Sequence, residues 1–158
     1  MSRRRFLSAI TGCVIAAPLR LKAQQTERVF RLGILRATSP SAEIDVQIPL
    51  ALRGLGYVEG RNLLVEYRHA RGNAEALPML AHELVQLRVH VIFSVGLAAA
   101  RAAKEATSSI PIVMFGPGDP GAEGLVSSLA RPGGNLTGVV LSAGGALTAK
   151  RLELLKEL

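Results

Sequence analysis

Cysteine and aromatic residues are scarce in this chain. Its 158 residues include one cysteine, Cys13, and no tryptophan, and aromatic residues make up only 4%. Beyond Cys13 there is no thiol left for a disulfide, a metal site or nucleophilic catalysis. No apolar run after the N-terminal segment approaches the roughly 20 residues that a membrane-spanning helix needs.

The sequence also lacks the motifs of the commoner enzymes. No Gly-x-Gly-x-x-Gly follows the first predicted strand and no phosphate-loop lysine occurs, which argues against a dinucleotide or nucleotide site. No serine stands in a Gly-x-Ser-x-Gly elbow, and His69, His82 and His90 lack metal-ligand spacing. The carboxylates are scattered along the chain. The sequence therefore predicts no enzyme, no metal and no cofactor.

The N-terminus, by contrast, carries an export-type segment. Ser2-Arg3-Arg4-Arg5-Phe6-Leu7 opens a short apolar run that ends before Arg20, and Ala23 offers a small residue for cleavage. We interpret residues 1–23 as a twin-arginine-type signal peptide, which predicts a protein exported to the periplasm. A disordered basic start followed by a core helix is the alternative. Residues 10–13, Ile-Thr-Gly-Cys, also fit a lipoprotein cleavage box, so a lipid anchor stays open.

Most of the positive charge belongs to that N-terminal segment. The whole chain has 19 Lys+Arg and 12 Asp+Glu, a net charge of +7. Residues 1–23 hold five basic residues and no acidic one, which leaves 14 basic and 12 acidic residues in the remainder. No basic cluster follows, and aromatic side chains for base stacking are few. The sequence therefore argues against a nucleic-acid partner.

From residue 28 onward, strand-like and helix-like runs alternate. Apolar runs predict strands at 29–35, 63–67, 89–95, 110–115 and 136–141. Helical patterns predict helices at 42–55, 73–88, 98–107, 120–130 and 147–158. Pro49 is expected to kink or shorten the first helix, and Pro78 to place the start of the second near Leu77. The alternation predicts an α/β fold, a parallel sheet of about five strands with helices on both faces.

In such sheets ligands bind beyond the carboxyl ends of the strands, which singles out three loops. After the first strand, Thr38 and Ser39 carry hydroxyls that either hold an anion or serve as an ordinary helix cap. After the third, Ser94 and Gly96 mark either a close approach of a ligand to the backbone or a tight turn. After the fourth, Gly118-Asp119-Pro120 supplies a carboxylate that caps the next helix, accepts a hydrogen bond from a ligand amine, or does both.

Several longer strings occur in a fixed order. They are Gly56-Tyr57-Val58-Glu59-Gly60-Arg61-Asn62, Ile110-Pro111-Ile112-Val113, Gly118-Asp119-Pro120 with the following Gly-rich stretch 124–138, and Lys150-Arg151-Leu152-Glu153-Leu154-Leu155-Lys156. This set resembles the ABC transporter substrate-binding protein family, which includes tryptophan- and tyrosine-binding proteins of bacteria. The resemblance runs from about residue 28 to the last residue.

The resemblance implies a periplasmic binding protein of the type I kind, with two α/β lobes and the ligand between them. It implies a small-molecule solute and an inner-membrane ABC permease as partners. Residues 28–141 then form the N-terminal ligand-binding lobe, and 142–158 form the crossover and first helix of a second lobe. Family members are much longer, so we expect a truncated form that binds its solute weakly by itself.

The resemblance adds Leu97 and Ala98 to the candidate contacts, although relatives usually carry a hydroxyl residue followed by Pro or Gln there. A polar contact is expected to be lost at these positions. The complete candidate set is Thr38, Ser39, Ser94, Gly96, Leu97, Ala98, Gly118, Asp119 and Pro120. An exported doubly wound enzyme, a ligand-sensing module and a broken gene product stay open as alternatives.

Overall fold

Five apolar segments form one parallel sheet in the computed structural model, which describes residues 28–141. The strands are β1 (Phe30–Arg36), β2 (Leu63–His69), β3 (Val91–Val95), β4 (Ile112–Gly116) and β5 (Leu136–Val140). They lie in the order β2-β1-β3-β4-β5, and every neighbouring pair is parallel. The signal peptide interpreted at 1–23 and the helix predicted at 147–158 lie outside the described residues.

Helices connect the first four strands. They are α1 (Ala42–Asp45) and α2 (Gln47–Gly54) between β1 and β2, α3 (Leu77–Gln86) between β2 and β3, and α4 (Leu97–Ala106) between β3 and β4. The chain moves one way across the sheet from β1 to β2 and the other way afterwards. Right-handed crossovers then place α2 on one face and α3 and α4 on the other. Among the described residues, every helix is too short or too polar to span a bilayer.

The buried side chains divide into two clusters, one on each face of the sheet. The larger includes Leu35 of β1, Ile92 of β3 and Leu84 of α3. The smaller includes Ile34 of β1, with Leu52 of α2 packed against it. Ile34 and Leu35 are adjacent in sequence yet belong to different clusters, because successive strand residues point to opposite faces. The α/β prediction with helices on both faces is confirmed.

Pro49 interrupts the helix predicted at 42–55. α1 ends at Asp45 and α2 begins at Gln47, with Val46 between them. Pro49 is the third residue of α2, where a backbone N–H would have no acceptor within the helix. The chain therefore accommodates the proline by starting a new helix just before it, and the expected shortening is confirmed.

Pro78 lies in the first turn of α3, which begins at Leu77 as predicted. A 3₁₀ turn, Ala74–Ala76, precedes it, and the Asn73 side chain accepts the Glu75 N–H at 3.2 Å. Asn73 therefore caps the short turn rather than the α-helix itself.

The helix predicted at 120–130 is wrong, since this segment forms consecutive turns and bends. Asp119 Oδ1 accepts the Gly121 N–H at 2.9 Å, which closes a turn. Gly124 has φ +67°, a left-handed conformation that stops a helix from continuing. Leu125 just beyond it is buried in the larger core cluster. The apolar pattern there reflects a loop packed on the sheet rather than a helix.

Gly54 provides a test of α2. It is the last residue of the helix, and a β-carbon built there meets no atom within 4 Å. We expect Gly54→Ala to raise the free energy of unfolding by about 0.5–1 kcal/mol, because alanine loses less backbone entropy on folding. Gly56→Ala is the matched control, since space is equally open there but φ is +91°, which disfavours alanine. Urea unfolding followed by circular dichroism measures both; equal shifts would contradict this account of α2.

Candidate functional site

The carboxyl ends of all five strands lie at one edge of the sheet. The connection after β1 leads to β2 on one side, whereas the connection after β3 leads away on the other side. Such a reversal of strand order opens a crevice between the two loops, and ligands of parallel sheets bind in such crevices. Arg36 pairs with Val95, and Val95 pairs with Phe115, so the loops after β1, β3 and β4 begin at the same level.

The loops after β3 and β4 touch each other. The Gly96 N–H donates to the Phe115 carbonyl at 2.9 Å. Gly118 lies directly against Leu97, because a β-carbon on Gly118 would fall 2.2 Å from Leu97 Cδ1. Gly96 has φ +85° and ψ 166°, a conformation that is essentially restricted to glycine. Gly96 therefore turns the chain straight from β3 into α4.

The N-terminus of α4 points to this edge. Gly96 is the N-cap and has no side chain to accept a hydrogen bond from the first turn. Ala98 is exposed and Leu97 is half-buried, and neither side chain carries a polar atom. The backbone N–H groups and the positive end of the helix dipole suit a hydrogen-bond acceptor or an anion. This loop therefore offers a solute backbone N–H groups rather than polar side-chain atoms.

Arg36 holds the loop after β1 from below. Its Nε and Nη2 atoms donate to Thr38 Oγ1 at 3.1 and 2.9 Å. Arg36 is 7% exposed, whereas Thr38 and Ser39 are exposed at the edge. Both residues thus lie on an exposed loop, and the buried guanidinium anchors this loop through the Thr38 hydroxyl.

A polar cluster surrounds that guanidinium. Asp45 of α1 accepts the Ser41 N–H through Oδ2 at 2.8 Å. Its Oδ1 lies 3.6 Å from Arg36 Nη1 and 3.4 Å from His69 Nε2. These contacts tie α1 to the ends of β1 and β2. The sequence interpretation missed Arg36, although a charged residue at the end of the apolar run 29–35 is a usable signal.

Tyr67 of β2 joins the same cluster. Its hydroxyl donates to the Asp45 carbonyl at 3.0 Å. Burial raises the pKa of this hydroxyl, and the carboxylates of Glu59 and Asp45 add to the shift. The group therefore stays protonated and keeps donating the hydrogen bond that fixes α1.

Ser94 and Pro120 are buried rather than presented at the edge. Ser94 is 0% exposed, and within residues 28–141 its Oγ has no hydrogen-bond partner. Its side chain lies on the same face of the sheet as Ile92, which α3 and α4 cover. A solute at the edge therefore contacts the Gly96 backbone rather than the Ser94 hydroxyl. Pro120 is buried as well. The predicted solute contacts at these two residues stay predictions, and the Ser94 hydroxyl offers no accessible atom in this arrangement.

Asp119 is half-buried at the start of the loop after β4. Its Oδ1 accepts the N–H groups of Gly121 and Ala122 at 2.9 and 3.1 Å. No described residue donates a hydrogen bond to Oδ2. A carboxylate has several lone-pair positions, so Asp119 closes the turn with one oxygen and keeps the other for a donor on a solute.

A cavity at the opposite edge of the sheet has less suitable chemistry. An apolar cavity of about 440 Å³ lies at the amino edge of the sheet, lined by residues that include Phe30, Tyr57 and Leu63. Its His90 Nδ1 already accepts the Arg31 N–H at 2.9 Å. The described residues contain no group of three His, Cys, Asp or Glu that could hold a metal. We therefore place the candidate site at the carboxyl edge, where the loops after β1, β3 and β4 carry hydroxyls, backbone N–H groups and a carboxylate.

This sheet order, with its loops at one edge, is that of one lobe of a type I periplasmic binding protein. Residues 41–158 match the family described as ABC transporter substrate binding protein, and the chain belongs to that family. The resemblance that the sequence motifs indicated is confirmed.

Three relatives support this assignment. The chain is 34% identical over 108 residues to the tyrosine-binding protein of Clostridioides difficile (strain R20291), a match that covers 68% of this chain and 30% of that protein. A Vibrio cholerae conserved domain protein has a TM-score of 0.71 at 30% identity, covering 82% of this chain and 44% of that one. A Streptococcus pneumoniae ABC domain in complex with L-Trp has a TM-score of 0.61 at 26% identity, covering 71% and 38%. The chain thus spans less than half the length of these relatives.

Proposed function

We propose that this chain forms the N-terminal lobe of a solute-binding protein that captures an amino acid for an ABC importer. The observation that carries the proposal is the α4 N-terminus at Gly96, which has no side-chain cap and opens between the loops of Thr38 and Asp119. A backbone donor set, two hydroxyls and a carboxylate at one edge suit a small zwitterion. Family membership supports the same conclusion.

Aromatic amino acids are the first solutes to consider. One relative is a tyrosine-binding protein and another was solved with L-Trp. The described lobe supplies one wall of a cleft, and a cleft gains affinity by burying most of the ligand surface. We therefore expect the chain by itself to bind such a solute only weakly.

The proposed place of action is outside the inner membrane, with a membrane permease as the partner. Support comes from the Arg3-Arg4-Arg5 segment ahead of a short apolar run and from the family of the chain. Fractionation of cells that express the full sequence tests the location. Protein confined to the cytoplasm would contradict it.

Titration of the ¹⁵N-labelled protein, followed by NMR, tests the binding function. We expect L-tryptophan or L-tyrosine at millimolar concentration to shift amide signals of residues 38–39, 96–98 and 118–119. Indole is the control ligand, because it has the ring but neither the carboxylate nor the amine. If neither amino acid shifts any signal, or if the shifts cluster around Phe30 and Tyr57 at the opposite edge, the proposal is wrong.

A further inference from the structure

We infer that Arg36 determines which end of the solute meets the loop after β1, by making Thr38 a hydrogen-bond donor that selects a carboxylate. This inference rests on the proposed function and assigns the orientation of the solute within the same site. Arg36 acts through Thr38, so it is a positioning residue rather than a direct ligand.

The geometry at Thr38 carries the inference. A hydroxyl has two acceptor lone pairs and one O–H donor. Arg36 Nε and Nη2 both donate to Thr38 Oγ1, at 3.1 and 2.9 Å, which occupies both lone pairs. A guanidinium stays protonated at any ordinary pH, so the hydroxyl retains only its donor role. The loop therefore disfavours an amine and favours an oxygen acceptor. A carboxylate is preferred over the neutral carbonyl of an amide, because hydrogen bonds to a charged acceptor are about twice as strong.

The charge of Arg36 adds to this preference. Arg36 is 7% exposed, and its Nη1 atom has no hydrogen-bond partner within residues 28–141. Its counter-ion Asp45 lies at 3.6 Å, is also close to His69, and accepts the Ser41 N–H through its other oxygen. A buried donor without a full partner is costly. An anionic group bound at Thr38 lowers that cost electrostatically, without touching the buried Nη1.

The loops after β3 and β4 determine where the rest of the solute lies. The first turn of α4, which follows Gly96, presents backbone donors. Asp119 presents Oδ2, an acceptor that takes no hydrogen bond from the described residues. The solute carboxylate accordingly lies between Thr38 and α4, and its ammonium group lies toward Asp119.

The test compares L-tryptophan with L-tryptophanamide, in which a neutral amide replaces the carboxylate. NMR titration of the wild-type chain is expected to give tighter binding of the acid. Arg36→Met should weaken binding of the acid about tenfold and leave binding of the amide within about twofold. The ratio of the two dissociation constants is the decisive quantity, because general damage to the lobe weakens both ligands alike. Arg36→Lys, which keeps the charge but not the fork, should restore part of the ratio.

Arg68→Met is the matched control. Arg68 is also an arginine of the sheet, but its Nε pairs with Glu83 of α3 at 2.6 Å, away from the crevice. It should leave the acid-to-amide ratio unchanged. Dispersed NMR spectra of every variant confirm that the lobe is folded.

Each outcome separates the inference from the proposed function. If tryptophan binds at the edge but Arg36→Met weakens acid and amide equally or weakens neither, the inference is overturned and the proposed function stands. If wild-type protein binds neither ligand, both are overturned. Inorganic phosphate is titrated as a second anion. If phosphate binds at Thr38 more tightly than tryptophan does, the loop selects a phosphate group rather than a carboxylate, and the inference is overturned.

Discussion

Gly138→Ala is expected to lower the free energy of unfolding by about 3 kcal/mol. Gly138 pairs with Met114 in the β4–β5 ladder. A β-carbon at Gly138 would lie 2.0 Å from the Met114 carbonyl oxygen and 2.7 Å from its carbonyl carbon. These are backbone atoms in the interior of the sheet, so they cannot rotate away as a side chain does. β5 is the last strand of the sheet formed by residues 28–141, and it would have to move off β4 to relieve the contact.

Two other glycines give the scale for this prediction. A β-carbon on Gly134 meets no atom within 4 Å, so Gly134→Ala should change the stability little. A β-carbon on Gly33 falls 2.9 Å from Leu84 Cδ2, the end of a flexible side chain, so Gly33→Ala should have an intermediate effect. Urea unfolding gives all three free energies. Similar midpoints for Gly138→Ala and Gly134→Ala would show that β5 is not held as tightly against β4 as the structure indicates.

The sheet could be predicted from the sequence because its strands are short apolar runs that turns and helical segments separate clearly. Alternate residues of two strands, Val91–Val95 and Ile112–Gly116, are buried on the face of the larger cluster. The residues between them, which face the other side of the sheet, are apolar as well. That pattern is typical of parallel strands covered from both sides. The segment 120–130 could not be predicted in the same way. Leu125 is buried as a helix residue would be, whereas the Asp119–Gly121 turn and the left-handed conformation of Gly124, φ +67°, show that the chain turns.

The position of the candidate site could also be predicted, because every parallel strand ends at the same edge. The side chains that matter there were harder to identify. Ser94 is one residue from the end of β3, yet the alternation along the strand turns it into the core with Ile92. Arg36 was missed because its partners are Thr38 in the next loop and Asp45 in α1. Such a relation depends on how α1 packs against β1, which no local pattern encodes.

Asp119→Asn is expected to weaken L-tryptophan binding about tenfold while changing the stability by less than about 0.5 kcal/mol. The asparagine oxygen can still accept the N–H groups of Gly121 and Ala122, which now donate at 2.9 and 3.1 Å. The negative charge disappears, however, and an NH₂ donor replaces Oδ2, so the ammonium group of the solute loses its acceptor. Hydrogen bonds to charged groups contribute about 1.5–3 kcal/mol, and the partial exposure of Asp119 favours the lower end.

Asp119→Ala separates the two roles of the carboxylate, because it removes the turn contacts as well. It should weaken binding to a similar extent and also lower the free energy of unfolding by about 1 kcal/mol, the usual cost of losing a side-chain cap. Glu123→Gln is the matched control for charge: Glu123 lies in the same loop but pairs with Arg101 on the surface, so its neutralisation should leave binding unchanged. NMR titration and urea unfolding measure both quantities. An asparagine variant that binds tryptophan like the wild type would limit Asp119 to closing the turn and would leave the solute amine without its proposed acceptor.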